Sequence, residues 1–164
     1  MTSTETYVGW LSDAYSTEVA LISALEEHIQ DAGQFPQLAA GLQMHLEQTR
    51  RHADLIKGCL ERQGGATSGL KTTFGKVANV AKSVMNSTVH DEVMKNTIDD
   101  FVAENLEIAS YTSLLAAAEA LGDTQTARVC TLILSEEEHA EALLRQQLPV
   151  VAMAALRGAA SATA

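Results

Sequence analysis

Residues 127–148 read ARVCTLILSEEEHAEALLRQQL, and the periodicity of that stretch decides the fold. Ala127, Cys130, Leu134, Glu137, Glu141, Leu144 and Leu148 recur at intervals of three and four, the spacing of one face of an α-helix. Glu137 and Glu141 fall inside that face, between Leu134 and Leu144. The start of the chain repeats the pattern with Val8, Leu11, Tyr15, Glu18, Ile22, Leu25 and Ile29. A carboxylate centred on a core-facing stripe must leave water. That is costly unless a cation or a proton compensates.

Two further stripes lie between these. One is Leu38, Leu42, His45, Thr49, His52, Ile56 and Cys59; the other is Ile98, Phe101, Glu104, Ile108, Tyr111, Leu115 and Ala118. The first helix is expected from about Thr4 to Gln30, ending at Asp31-Ala32-Gly33. Pro36 suits the first turn of a second helix, which stops at Arg62 before Gly64-Gly65. Ser87-Thr88 can cap a third helix reaching Leu121, with Asp91 and Glu92 favouring the dipole of its first turn. Gly122-Asp123 marks a tight stop and restart. The fourth helix then runs to Leu148, where Pro149 is expected to interrupt it.

The connections are therefore short, long, short. The long one, residues 64–87, is rich in Gly, Ser and Thr, and within it Leu70, Phe74, Val77, Ala81 and Val84 fit one short amphipathic helix. Such an order predicts an all-α, ferritin-like four-helix bundle over residues 1–148, two antiparallel hairpins joined by a crossover. Residues 149–164 form an alanine-rich tail, either a docked extra helix or a frayed end.

Composition agrees. The 164 residues carry only 4% aromatics and 2 prolines, and Ala, Leu and Glu abound, which favours helix over sheet. A net charge of -10 disfavours nucleic acid and anionic membrane as partners, since both need a basic surface. Residues 1–13 lack the basic start and apolar core of a signal peptide, and the apolar runs are too short to span a bilayer. A soluble, cytoplasmic protein is the expectation. Cys59 and Cys130 sit on apolar stripes and read as buried free thiols.

The acids point to chemistry. Residues four apart on a helix project the same way, so Glu137 with Glu141, and Gln48 with His52, can each share an ion. Together with Glu18 and Glu104 they offer four carboxylates, one imidazole and one amide. Four negative charges balance two divalent cations, and oxygen-rich ligands suit Fe or Mn better than a structural zinc. Glu18, His52, Glu104, Glu137 and Glu141 are the principal candidate ligands, with Gln48 and Glu107 the weaker ones. His45 reads as structural, or as a hydrogen-bond partner of a ligand. Tyr15 and Tyr111 could orient nearby acids, and their default role is packing. Glu136 and His139 have the Glu-x-x-His spacing of di-iron bundles, yet His139 lies roughly 200° around the helix from Glu137 and faces away from it.

These residues resemble the YciE/YciF-like ferritin-like proteins of bacteria. The resemblance is carried by Leu11-Ser-Asp-Ala-Tyr-Ser-Thr-Glu18, His45-Leu-Glu-Gln-Thr49, Glu104-Asn-Leu-Glu-Ile-Ala-Ser-Tyr111, Leu121-Gly122 and Glu136-Glu137-Glu138. It implies a bundle with a di-metal centre, a homodimer and an association with stress responses, without fixing a reaction or any catalytic residue. Glu18, Glu104, Glu137 and Glu141 keep acids where that family has them. Gln48 stands where the family usually has Glu, and His52 where Gln or His occurs. Two readings result. One is a di-iron or di-manganese protein reacting with oxygen or peroxide, as a ferroxidase or peroxidase would; the other is a non-catalytic helical stress or interaction protein whose site is degenerate or empty.

Overall fold

The computed structural model describes residues 2–66 and 92–162. Among them are four long helices and one 3-10 turn, and no strand. Helix α1 spans Ser3–Asp31, α2 Pro36–Arg62, α3 Glu92–Ala120 and α4 Thr124–Ala162, with the turn at Ala32–Gln34 linking α1 to α2. The crossover's short helix and the Ser87-Thr88 cap lie outside the described residues. In cross-section α1 packs on α2 and α3, and α4 packs on α3 and α2.

Local chemistry accounts for the ends. Thr2 and Glu5 form a reciprocal capping box at the start of α1, with the Thr2 N–H donating to Glu5 Oε2 at 2.7 Å and the Glu5 N–H to Thr2 Oγ1 at 3.2 Å. Such a cap is worth about 1 kcal/mol. Proline supplies the first turn of α2. Between α3 and α4, Gly122 adopts φ 72°, the left-handed conformation glycine tolerates best. Asp123 then caps α4, accepting from the Thr126 N–H at 3.1 Å and the Thr126 hydroxyl at 2.6 Å.

The same carboxylate ties three helices together. Tyr7 of α1 donates to it at 3.1 Å, and Gln63, just after α2, at 2.9 Å. Burial alone would raise its pKa, but the donors from Thr126, Tyr7 and Gln63 outweigh that and hold Asp123 below the ordinary carboxylate range.

The expected break at Pro149 does not occur, because α4 continues through it to Ala162. Pro149 itself is exposed, while Val151 beyond it is 1% exposed and packs with Leu25, Leu38, Leu42 and Leu144. The lost backbone hydrogen bond is offset by that anchoring. A Cβ on Gly41 of α2 would fall on the Leu143 side chain, so glycine there lets α2 and α4 approach closely.

The interior has three storeys. Tyr7, Leu11, Ile56, Leu60, Leu114 and Ile133, with Cys59 and Cys130, fill one end. Leu25, Leu38, Leu42, Leu46, Leu144 and Val151 fill the other. Each fully buried aliphatic side chain contributes roughly 1.5–3 kcal/mol. Between these apolar blocks every helix switches to polar residues at the same level. No described helix is long and apolar enough to cross a membrane.

Candidate metal centre

The middle storey is built from one level of each helix. Helix α1 supplies Glu18, α2 His45 and His52, α3 Glu104 and Glu107, and α4 Glu137. All six are at most 3% exposed. Thr49, between the two histidines, donates to its own helix at His45 O and asks nothing of the centre.

Glu137 is the hub. Its Oε1 lies 2.9 Å from His52 Nδ1, and its Oε2 lies 3.6 Å from His45 Nε2. His45 Nε2 is also 3.0 Å from Glu104 Oε1, and His52 Nδ1 is 3.7 Å from Glu18 Oε1. Two sets result, within each of which single ligand atoms lie within 4.8 Å of one another: Glu18, His52 and Glu137, and His45, Glu104, Glu107 and Glu137. Glu137 belongs to both.

These atoms converge without satisfying one another. His45 Nε2 and His52 Nδ1 sit within ion-pair reach of carboxylates, yet they are out of line for hydrogen bonds and count as unpartnered. So do His45 Nδ1, Glu18 Oε2, Glu104 Oε2, both oxygens of Glu107 and both of Glu137. Leaving a buried polar group unpaired costs about 1–3 kcal/mol, and more if it is charged. An array of orphaned oxygen and imidazole nitrogen atoms from four helices fits the coordination demand of cations.

Protonation tells the same story. Burial pushes the Glu18 carboxyl up to about 8; the His52 charge opposes this and Glu137 adds to it. Burial likewise holds Glu104 and Glu107 well above the usual range, reinforced by neighbouring acids. Burial would raise Glu137 too, but contacts with His52 and Glu104 and the nearby imidazoles bring it below the ordinary value. For His52, burial works against the charged form, and contacts with Glu137, Glu18 and Glu136 overcome it. Without cations, the carboxylate layer is tolerable only by keeping several acids protonated.

Surrounding groups hold the layer in place. Tyr111 donates its hydroxyl to Glu18 Oε1. Glu136 Oε2 lies 2.6 Å from His52 Nε2 and is itself clamped by Arg51 at the surface. The outer nitrogen of the His52 ring is thereby engaged, which fixes the direction of Nδ1 toward Glu18 and Glu137.

Against the sequence reading, Glu18, His52, Glu104, Glu107 and Glu137 are brought together. One is not. Glu141 is half-buried and pairs with Arg145, whose guanidinium lies over the Phe101 ring at 5.2 Å. Gln48 is half-buried on α2, one turn before His52. The i,i+4 pairs expected on α2 and α4 are replaced by His45 with His52, two turns apart, and by Glu104 with Glu107. His45, on the same α2 stripe as His52, also faces the layer, within reach of Glu104 and Glu137. Glu136 was set aside with His139, yet it reaches His52, while exposed His139 turns back to the Ser135 carbonyl. Tyr15 packs against the apolar core.

Comparison with known proteins follows the same lines. The structure is similar to that of a protein from Xanthomonas campestris, at 26% identity over 96% of this chain and 97% of that one, with a TM-score of 0.80. It also resembles the Escherichia coli stress protein YciF, at 26% identity, 93% and 98% coverage and a TM-score of 0.73. A dodecameric thioferritin, the bacterioferritin-related protein of Bacteroides fragilis, matches at 19% identity, 94% and 90% coverage and a TM-score of 0.75, a likeness of fold alone. The fold is thus a ferritin-like helical bundle, residues 2–157 match the family model described as Domain of unknown function (DUF892), and the chain belongs to that family.

Proposed function

We propose that this protein is a dinuclear metal-binding protein taking Fe or Mn. In this reading Glu18 and His52 would hold one ion and His45, Glu104 and Glu107 the other, with the Glu137 carboxylate within reach of both groups. The observation that carries it is the set of nine buried ligand atoms without hydrogen-bond partners at the level of Glu137. Four carboxylates offset two divalent cations, and the oxygen-plus-imidazole donor set suits Fe and Mn. The two thiols lie in the apolar block and offer the ions nothing.

Bound Fe or Mn supplies redox chemistry toward oxygen or peroxide. The chain's own contribution is placement. Tyr111 orients Glu18, and Glu136 orients His52 with Arg51 behind it. The apolar blocks on either side exclude water. Glutamine at position 48 removes no charge the layer needs, because Glu107 and His45 supply the donors that a glutamate there would have supplied. That favours a loaded centre over a degenerate one. The homodimer implied by the family resemblance belongs to this reading, and light scattering checks it.

Metal analysis of protein purified after iron- or manganese-supplemented growth tests the proposal. Close to two ions per wild-type chain and almost none in Glu137→Ala are expected. Fewer than one ion per several chains, with no change in thermal midpoint on adding Fe(II) or Mn(II), would sink it in favour of a helical protein working through its surface.

A further inference from the structure

A cavity of about 520 Å³ opens between α1 and α3 beside the polar storey. Its buried side is formed by Ala14, Glu107, Tyr111 and Leu114, and its rim by exposed Trp10 and Leu106. Thr17, Ser110 and Ser113 add hydroxyls, Asp13 adds a carboxylate at the mouth, and among the described residues no Lys or Arg lines it. Glu107 is the feature that distinguishes this groove from an ordinary surface crease. It lines the cavity at 2% exposure, and no N–H or O–H group among the described residues donates to either of its carboxylate oxygens.

We infer that this groove binds a small uncharged aromatic molecule bearing a hydroxyl, which donates to the Glu107 carboxyl while its ring packs against Trp10, Leu106 and Leu114. The volume lies within the range of small-molecule sites, and so does the ratio of apolar wall to a few convergent polar groups. An anion is disfavoured twice: no cationic side chain among the described residues faces the groove to replace its hydration, and Asp13 repels it at the mouth. Because Glu107 also faces His45, Glu104 and Glu137, the groove gives such a molecule a side entrance to the layer proposed above to hold metal. Only this last link rests on the metal reading; the groove itself is testable in metal-free protein.

Trp10 is the only tryptophan in the chain, so its fluorescence reports the groove directly. Titrating metal-free protein with phenol should change Trp10 emission saturably, with half-saturation on the order of 1 mM for a ligand of so few atoms. Benzoate, with the same ring and a carboxylate, should bind at least about tenfold more weakly. Ser110→Phe, which fills the cavity, should abolish the saturable change, and Ser113→Phe at the exposed rim serves if the first variant fails to fold. A quench that is linear and equal for phenol and benzoate overturns the inference. So does a stable dimer in which a second copy covers Trp10, seen as protection of its emission from iodide that is lost on dilution.

A parallel arm separates the two proposals. In Co(II)-loaded protein, phenol should shift the visible bands in wild type and leave them unmoved in Ser110→Phe. Saturable phenol binding without any Co(II) uptake leaves the groove standing and removes the metal reading. Co(II) uptake without saturable phenol binding does the reverse.

Discussion

The polar cluster around Asp123, at the α3–α4 turn, and the one around Glu137, in the interior, are built on opposite rules. Asp123 has one carboxylate and donors from Thr126, Tyr7 and Gln63 that engage both oxygens. Its pKa is depressed because the charged form is fully served. Around Glu137, four carboxylates and two imidazoles face one another, and most of their ligand atoms have no hydrogen bond. The pKa values there are split, Glu137 depressed and Glu18, Glu104 and Glu107 raised. A satisfied cluster holds helices together. An unsatisfied one at such depth stores a demand for something the chain does not itself contain.

Breaking that contrast should give effects of different size and sign. The largest is expected from Glu137→Ala. If wild type gains about 3–4 kcal/mol at Mn(II) several hundred times its dissociation constant, the variant should gain nothing, as read by the midpoint of thermal unfolding with and without the ion. A retained Mn(II) shift would place the ion elsewhere. Asp123→Ala comes next, costing about 2–3 kcal/mol through loss of a cap and two cross-helix hydrogen bonds, with metal uptake untouched. Because the folded pKa of Asp123 lies below its unfolded value, this cost should be complete near neutral pH. It should fade as pH falls through the folded value, which urea titrations at several pH values would show.

The third prediction reverses sign. Glu107→Leu removes a buried acid with no partner, so metal-free protein should become more stable by about 1–2 kcal/mol, while metal-loaded protein loses affinity. Destabilisation of the metal-free form would mean that Glu107 shares a proton with Glu18, its neighbour in the layer. The smallest effect is expected at the His28–Asp100 pair, 2.6 Å apart between α1 and α3. Burial disfavours the His28 charge, but Asp100 outweighs it and the pKa is raised. Stability from this pair is therefore present below the unfolded value near 6.5 and lost as pH rises through the folded one. His28→Gln should cost less than about 1 kcal/mol at pH 5.5 and still less at pH 8.5.

The helices and their pairing were legible from the sequence because apolar stripes and Gly or Pro punctuation are local signals. So were Glu18, His52, Glu104 and Glu137, each centred on its stripe. Glu141 shows where such reading fails. A step of four residues overshoots one helical turn by about 40°, so Glu141 sits at the edge of the buried arc while Glu137 and Leu144 stay inside it. Arg145, one turn on, then captures that carboxylate in an ion pair no stripe could reveal. Pro149 fails for a related reason. Local chemistry predicts a break, and the packing of Val151 against α1 and α2 residues, a long-range fact, overrides it. His45 was visible in phase but lacked a partner in sequence, since its neighbours Glu104 and Glu137 arrive from other helices.

The apolar blocks above and below the carboxylate layer have a kinetic consequence. Among the described residues, Leu11, Ile56 and Leu60 close one end of the layer with apolar side chains, and toward the other the polar groups Asp100, His28 and Asn96 lie along the α1–α3 seam, so a charged ligand is routed sideways, through a seam where two helices part. Loading and release would then follow how often those seams open rather than how tightly the ligands grip, and a cross-link between α1 and α3 should slow both without altering the final occupancy.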